Sequence, residues 1–169
     1  MPGMETGTAS SPCNPPSVIN CIWYDTCGRP RPVELDAISE TLRDDPQGFV
    51  WIGLYEPDND VLAKVQEQFG LHDLAIEDTR KAHQRPKVET YGDSLFVVVH
   101  TAQVVEERIR YGETHAFLGP RYLVTVRHGA SLSYAPVRAR LEREPAQLAL
   151  GPSFCLYSVL DAIVDDYLP

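Results

Sequence analysis

The residues whose type and spacing come closest to chemistry are two groups of carboxylates. Glu77 and Asp78 stand side by side just ahead of a basic stretch, and Asp161, Asp165 and Asp166 follow one another near the end of the sequence. Asp161 and Asp165 are i, i+4 neighbours and share one face of a helix. Mg²⁺ and Ca²⁺ take carboxylate oxygens of this kind as ligands, and Mg²⁺ keeps several waters while using only one or two protein carboxylates. The same residues also read as ordinary surface. Glu77 can pair with Lys81 at i, i+4, and the last helix can simply carry a solvated acidic face. Spacing leaves both readings open, and the solvated surface is the commoner state of helix carboxylates.

Other chemistry is missing from the sequence. There is no P-loop and no G-x-G-x-x-G after a strand. Gly151-Pro152-Ser153-Phe154-Cys155 lacks the second glycine of a nucleophile elbow. His72, His83, His100, His115 and His128 form no H-E-x-x-H or other helical pair, and His100 and His115 read as satisfied histidines within strands. Cys13, Cys21, Cys27 and Cys155 contain no C-x-x-C, which leaves free, reduced thiols as the expectation. No motif supports an enzyme. The basic residues Arg80, Lys81, Arg85 and Lys87 invite a phosphate, but a net charge of −9 argues against nucleic acid as a partner. They balance nearby carboxylates or lie along a subunit contact instead.

The elements that must position these groups can be read from periodicity. The 169 residues, 43% of them hydrophobic, suffice for one domain with a real core. Residues 1–16 are rich in Pro, Ser, Thr and Gly and read as a disordered leader, with the domain over 17–169. No apolar run approaches the length of a membrane helix, and no secretory signal is visible. Val18–Tyr24 and the almost continuously apolar Phe49–Tyr55 read as strands, with a short helix between them. Asp58 and Gly70 punctuate a helix whose buried stripe is Val61, Leu62, Val65 and Phe69. A second helix covers Asp73–Lys81 with Leu74 and Ile76 turned inward. Lys87–Tyr91, Leu95–Ala102, Thr114–Leu118 and Tyr122–Val126 follow as strands, the last half-exposed. Two helices finish the chain, over 136–143 and from Phe154 onward, the second with a stripe of Tyr157, Leu160, Val164 and Tyr167. This order gives an α/β domain: a mixed parallel and antiparallel sheet flanked by helices. The last pattern is still running at Leu168-Pro169, which predicts a chain continuing into something longer.

Several spaced segments carry a family likeness. Leu71-His72-Asp73-Leu74-Ala75-Ile76-Glu77-Asp78, Gln84-Arg85-Pro86-Lys87-Val88-Glu89 and Tyr91-Gly92-Asp93 strongly resemble the N-terminal cytoplasmic domain of CorA-type magnesium transporters. Trp51-Ile52, Tyr55-Glu56-Pro57, Pro136-Val137-Arg138 and the run Leu156–Tyr167 fit the same family in the same order. The resemblance implies an α/β/α sandwich on the cytoplasmic face of the inner or plasma membrane. It implies a homopentamer, anchored through a stalk helix and membrane helices with a Gly-Met-Asn signature beyond Pro169. It further implies regulatory Mg²⁺ at Glu77, Asp78 and Asp161, shared between neighbouring subunits, with other divalent cations possible, so that cytoplasmic Mg²⁺ favours the closed state. Asp73, where the family often has proline, and the charges of Arg80-Lys81 depart from the pattern. A zinc-transporting relative, or a stand-alone soluble domain that binds a metal or a protein, is the alternative.

Overall fold

In the computed structural model, residues 13–167 are described. Seven strands form one sheet in the order β2-β1-β3-β7-β6-β5-β4. They are β1 (Val18–Tyr24), β2 (Pro30–Pro32), β3 (Phe49–Tyr55), β4 (Lys87–Tyr91), β5 (Ser94–Val105), β6 (Arg108–Gly119) and β7 (Tyr122–Gly129). Only the β3–β7 pairing is parallel, with Ile52 opposite Val124; the others are antiparallel. Six helices cover the faces: α1 (Ile38–Asp44), α2 (Asn59–Phe69), α3 (Asp73–Lys81), α4 (Ala135–Glu142), α5 (Pro145–Leu148) and α6 (Pro152–Tyr167).

The alternation of each strand feeds two cores. On one face Val50, Ile52 and Leu54 of β3 join Val124 and Val126 of β7, Phe96 of β5 and Phe117 of β6 against α1, α2 and α3. On the other face Phe49, Trp51, Val97, Ala116 and Leu123 pack against α4, α5 and α6. The molecule is thus an α/β/α sandwich, as the order of elements leads one to expect. β7 is central and buried on both sides, with Thr125 only 2% exposed, and is not the half-exposed strand its alternation implies. Thr125 mimics a polar face in sequence, yet its hydroxyl meets Trp51 Nε1 at 3.4 Å inside the sheet.

Local signals set the helix ends. Asp58 caps α2 by accepting from the Val61 N–H at 2.8 Å, and Gly70 closes it at φ 67°, a conformation that favours a residue without Cβ. Two side-chain orientations differ from the periodic reading. Leu74 is 56% exposed because it occupies the first turn of α3, ahead of the turn that faces the sheet at Ala75, Ile76 and Thr79. On α6 the buried stripe is Cys155, Leu156, Val159 and Ile163, while Tyr157, Val164 and Tyr167 are at least half exposed. The helix carries two apolar stripes, and the one that meets the sheet is the neighbour of the one with the regular spacing. β2 and the single-turn α5 are too short for any periodicity. The β5–β6 hairpin extends well past Ala102 through the largely exposed segment 103–110 and turns at Glu106 and Glu107, both at positive φ (50° and 61°) without the usual Asn or Gly.

The leader expected over residues 1–16 lies outside the described residues as far as residue 12. Beyond it, Asn14 is tied to the fold: its side chain donates to the Val33 carbonyl at 3.2 Å and accepts from the Leu35 N–H at 2.7 Å. The cysteines from Cys13 on are all free. Burial pushes the Cys21 and Cys155 thiols up to about 12, which leaves them unreactive. No helix among the described residues is long and apolar enough to cross a membrane.

Candidate functional site

α3 presents the first carboxylates. His72 caps the helix, its Nδ1 accepting from the Leu74 N–H at 3.2 Å, and Ile76 and Thr79 bury the opposite side. Glu77 therefore faces water and pairs with Lys81 one turn on, as the i, i+4 spacing suggests. Asp78 is partly covered by β4, where Lys87 Nζ meets its Oδ2 at 2.5 Å and Glu89 at 3.1 Å. Tyr91 completes this chain by donating to Glu89 at 2.8 Å. The hydrogen bond to Asp78 holds the Lys87 ammonium above its ordinary pKa, so Lys87 stays charged. Each of the two carboxylates already has a lysine where a cation would sit.

Asp161 belongs to the other side of the molecule. α6 packs on the face opposite α3, and Asp161 is exposed there between the uncovered side chains of Tyr157 and Val164. Within one chain the sheet separates Asp161 from Glu77 and Asp78. The described residues contain no group of three or more His, Cys, Asp or Glu side chains gathered closely enough to hold a metal ion.

Two networks of buried charged side chains lie away from these carboxylates. Arg138, 7% exposed, stacks its guanidinium over Trp51 at 4.3 Å and donates to the Tyr24 hydroxyl at 3.3 Å and to Asn20. Tyr24 in turn donates to Glu142 at 2.8 Å. Gly53 makes room for this network, since a Cβ there would lie 2.8 Å from Asn20 Oδ1. The arrangement joins α4 to β1 and β3 and is structural.

A second network lies under the C-terminal end of α3. Glu113 of β6 is 4% exposed and accepts from the backbone N–H groups of His83 and Gln84 with its two oxygens. His115 is fully buried, its Nδ1 3.0 Å from the Thr79 hydroxyl and its Nε2 3.2 Å from Glu113, off the line of a hydrogen bond. Burial holds the His115 imidazole below its ordinary pKa, with Glu113 opposing the effect only in part. Burial also pushes the Glu113 carboxyl up, but the nearby His115 ring and the hydrogen bonds from the His83 and Gln84 amides outweigh it, and the group lies below its ordinary value. His115 is thus hydrogen-bonded through Nδ1 alone, and is not the fully satisfied histidine its place in a strand predicts. Its neighbours Glu113 and His128 carry no local sequence signal, because only the strand register brings them together.

Known proteins agree with this geometry. Residues 46–169 match the family model for CorA-like Mg²⁺ transporter proteins. YfjQ of Bacillus subtilis is 34% identical over 119 residues, covering 70% of the chain and 37% of that protein. The cobalt/magnesium transport protein CorA of Thermotoga maritima is 31% identical over 111 residues, covering 64% and 32% respectively. The chain spans about a third of the length of these relatives. Among solved structures, the soluble domain of CorA from Methanocaldococcus jannaschii superposes with a TM-score of 0.64 at 20% identity, over 89% of the chain and 58% of that structure. Full-length CmaX gives 0.66 at 18%, over 88% and 45%. The sandwich is accordingly the fold of the CorA soluble domain, and the chain belongs to the CorA-like Mg²⁺ transporter family.

Proposed function

We propose that this chain is the cytoplasmic Mg²⁺-sensing domain of a CorA-type divalent cation transporter. In this reading it has no enzymatic role, and Glu77, Asp78 and Asp161 bind the regulatory ion between neighbouring copies. The observation that carries the reading is the placement of these carboxylates. Asp161 stands on an exposed helix face flanked by Tyr157 and Val164, and the α3 pair stands on the opposite side of the sheet. One chain cannot bring them to a common ion, whereas two copies set side by side can oppose α6 of one to α3 of the next.

The chemistry follows from charge. With no ion between them, carboxylates on adjacent subunits repel one another, and Lys81 and Lys87 fold back to neutralise the α3 pair within its own subunit. Mg²⁺ bridging the two sides, in part through its waters, displaces those contacts and favours the arrangement that brings the subunits together. That preference is a coupling free energy between the sensor and a pore anchored in the membrane by the rest of the protein.

The test is transport by the full-length protein over a range of internal Mg²⁺. Asp78→Asn and Asp161→Asn should each raise the Mg²⁺ concentration that halves transport, by about tenfold, as expected for loss of a ligand or its close support. Unchanged inhibition in both variants would remove these residues from the sensor.

A further inference from the structure

The far end of the β5–β6 hairpin is a ribbon of two strands without neighbours. β4 pairs with β5 only up to Val98, and β7 pairs with β6 only from Gly112 onward. Along the ribbon Ala102 is opposite Tyr111 and Val104 is opposite Ile109. Side chains alternate between faces, so these four share the face of Phe96 and Val98, which α1, α2 and α3 cover lower down. The other face carries the pairs Gln103–Arg110 and Val105–Arg108. α3 ends before it reaches the ribbon, and Val104, Ile109 and Tyr111 are 77%, 60% and 75% exposed. Apolar side chains scattered singly over a surface are ordinary, but here cross-strand pairs join them into one patch.

Charge distinguishes the two sides of the molecule at this end. On the α3 side, Lys81 and Lys87 neutralise Glu77 and Asp78, which leaves Arg80 in the last turn and Arg85 just beyond it. Both arginines are exposed and have no ion-pair partner among the described residues. On the opposite side, α6 contains no basic residue, and its exposed Asp161, Asp165 and Asp166 are likewise unpaired. Its outer stripe of Tyr157 and Val164 is apolar and exposed. The two patches are level with one another, because the Tyr167 hydroxyl at the end of α6 donates to the His100 carbonyl, where the ribbon begins. The sheet stands between them, so they cannot meet within one chain.

We infer that the apolar face of the β5–β6 ribbon, with Arg80 and Arg85 beside it, is a docking surface for a second copy of this chain. It receives the outer face of that copy's α6, where Tyr157 and Val164 alternate with acidic residues. Charge selects this pairing over the symmetric ones. α6 against α6 sets aspartates against aspartates, and ribbon against ribbon brings the arginines together, whereas ribbon against α6 opposes unlike charges around an apolar centre. Contact between two different patches passes from copy to copy and closes into a ring where the rotation allows. The inference rests on the side-by-side copies of the proposed function and not on the ion between them.

Cross-linking of the full-length protein in its membrane tests the surface, with the exposed cysteines, Cys13 and Cys27 among them, replaced by serine. Tyr111→Cys and Val164→Cys change exposed side chains that the fold does not need. Introduced together and treated with a short bismaleimide in the presence of Mg²⁺, they should give dimers and higher multiples of the chain. Val105→Cys, on the other face of the ribbon, should give none with Val164→Cys. Arg80→Glu with Arg85→Glu should cut the cross-linked fraction severalfold, and Asp165→Arg with Asp166→Arg should restore it. Three results would overturn the surface: no multiples, multiples from Tyr111→Cys or Val164→Cys alone, or a product whose mass is not a multiple of the chain. The first means no contact, the second a contact of like with like, and the third a different protein on this face. The Mg²⁺ reading fails separately: multiples alongside unchanged inhibition in Asp78→Asn and Asp161→Asn keep the surface and remove the sensor. Shifted inhibition without multiples does the reverse.

Discussion

The outer face of α3 and the strands beneath its C-terminal end hold charged side chains in opposite settings. The carboxylates of Glu77 and Asp78 lie on the helix surface, each neutralised by a lysine of its own chain, with Asp161 beyond the sheet. Under the last turn of the same helix, Glu113, His115 and His128 are set by strand register and held by neighbours that fix their protons. Under the proposed function, the surface carboxylates need a second copy to share an ion and would therefore report on how copies are arranged. The buried network is complete within one chain and holds strands and helix together. Surface ion pairs hold little energy and are easily exchanged, which suits a sensor. Buried polar groups are costly to leave unpaired, which suits a fixed structural network.

The largest expected effect lies on the buried side. Glu113→Gln keeps the shape but loses the charge that accepts from the His83 and Gln84 amides, and thermal or urea unfolding should show a loss of about 2–3 kcal/mol. An equal-sized loss from Glu77→Gln would erase the contrast between the two regions.

Acid should reveal the same asymmetry. His115 titrates below its ordinary 6.5 when folded, so the unfolded chain binds the proton first as pH falls. Its contribution is present above about pH 6.5 and declines as the pH drops from there toward the folded value. Glu113 and Glu56, both below their ordinary 4.5, add a second decline beneath that pH. Stability measured from pH 8 to 2 should therefore be flat and then fall in two stages, and His115→Phe should remove the upper one. A profile unchanged by His115→Phe would show that the imidazole is not held neutral by burial.

Smaller effects should come from the lysines. Lys87→Met removes the partner of Asp78 and should cost at most about 1 kcal/mol of stability. In the full-length protein it should lower the Mg²⁺ concentration needed for inhibition, because the ion no longer competes with an ammonium. Lys81→Ala should leave stability unchanged within error and shift Mg²⁺ inhibition the same way by less, since its Glu77 contact is open to solvent.

How far the sequence reveals this molecule depends on the range of the forces involved. Helices α2 and α3 are legible because caps and periodicity are local: Asp58, Gly70 and the spacing of Val61, Leu62 and Val65 suffice. The layered α/β architecture is legible because strands separated by helices are followed by a run of strands and closing helices. α6 shows where this ends. Its two apolar stripes are equally good by periodicity, and only packing against β3, β6 and β7 selects the one containing Val159 and Ile163. The acidic pair on α3 stands out through adjacency and family likeness, whereas His100, Glu113 and His128 come together only through pairings 13 and 15 residues apart in sequence. Long-range register is invisible to any short motif.

The most direct test of the central claim, that one Mg²⁺ is shared between α3 of one copy and α6 of the next, is a double-mutant cycle on Mg²⁺ inhibition of transport by the full-length protein. Asp78→Asn and Asp161→Asn are measured singly and together. If both carboxylates serve the same ion, the double variant should be little worse than either single one, because removing the first already loses the bridge. Effects that simply add would mean that the two residues act at independent sites, and the shared-ion account would be wrong.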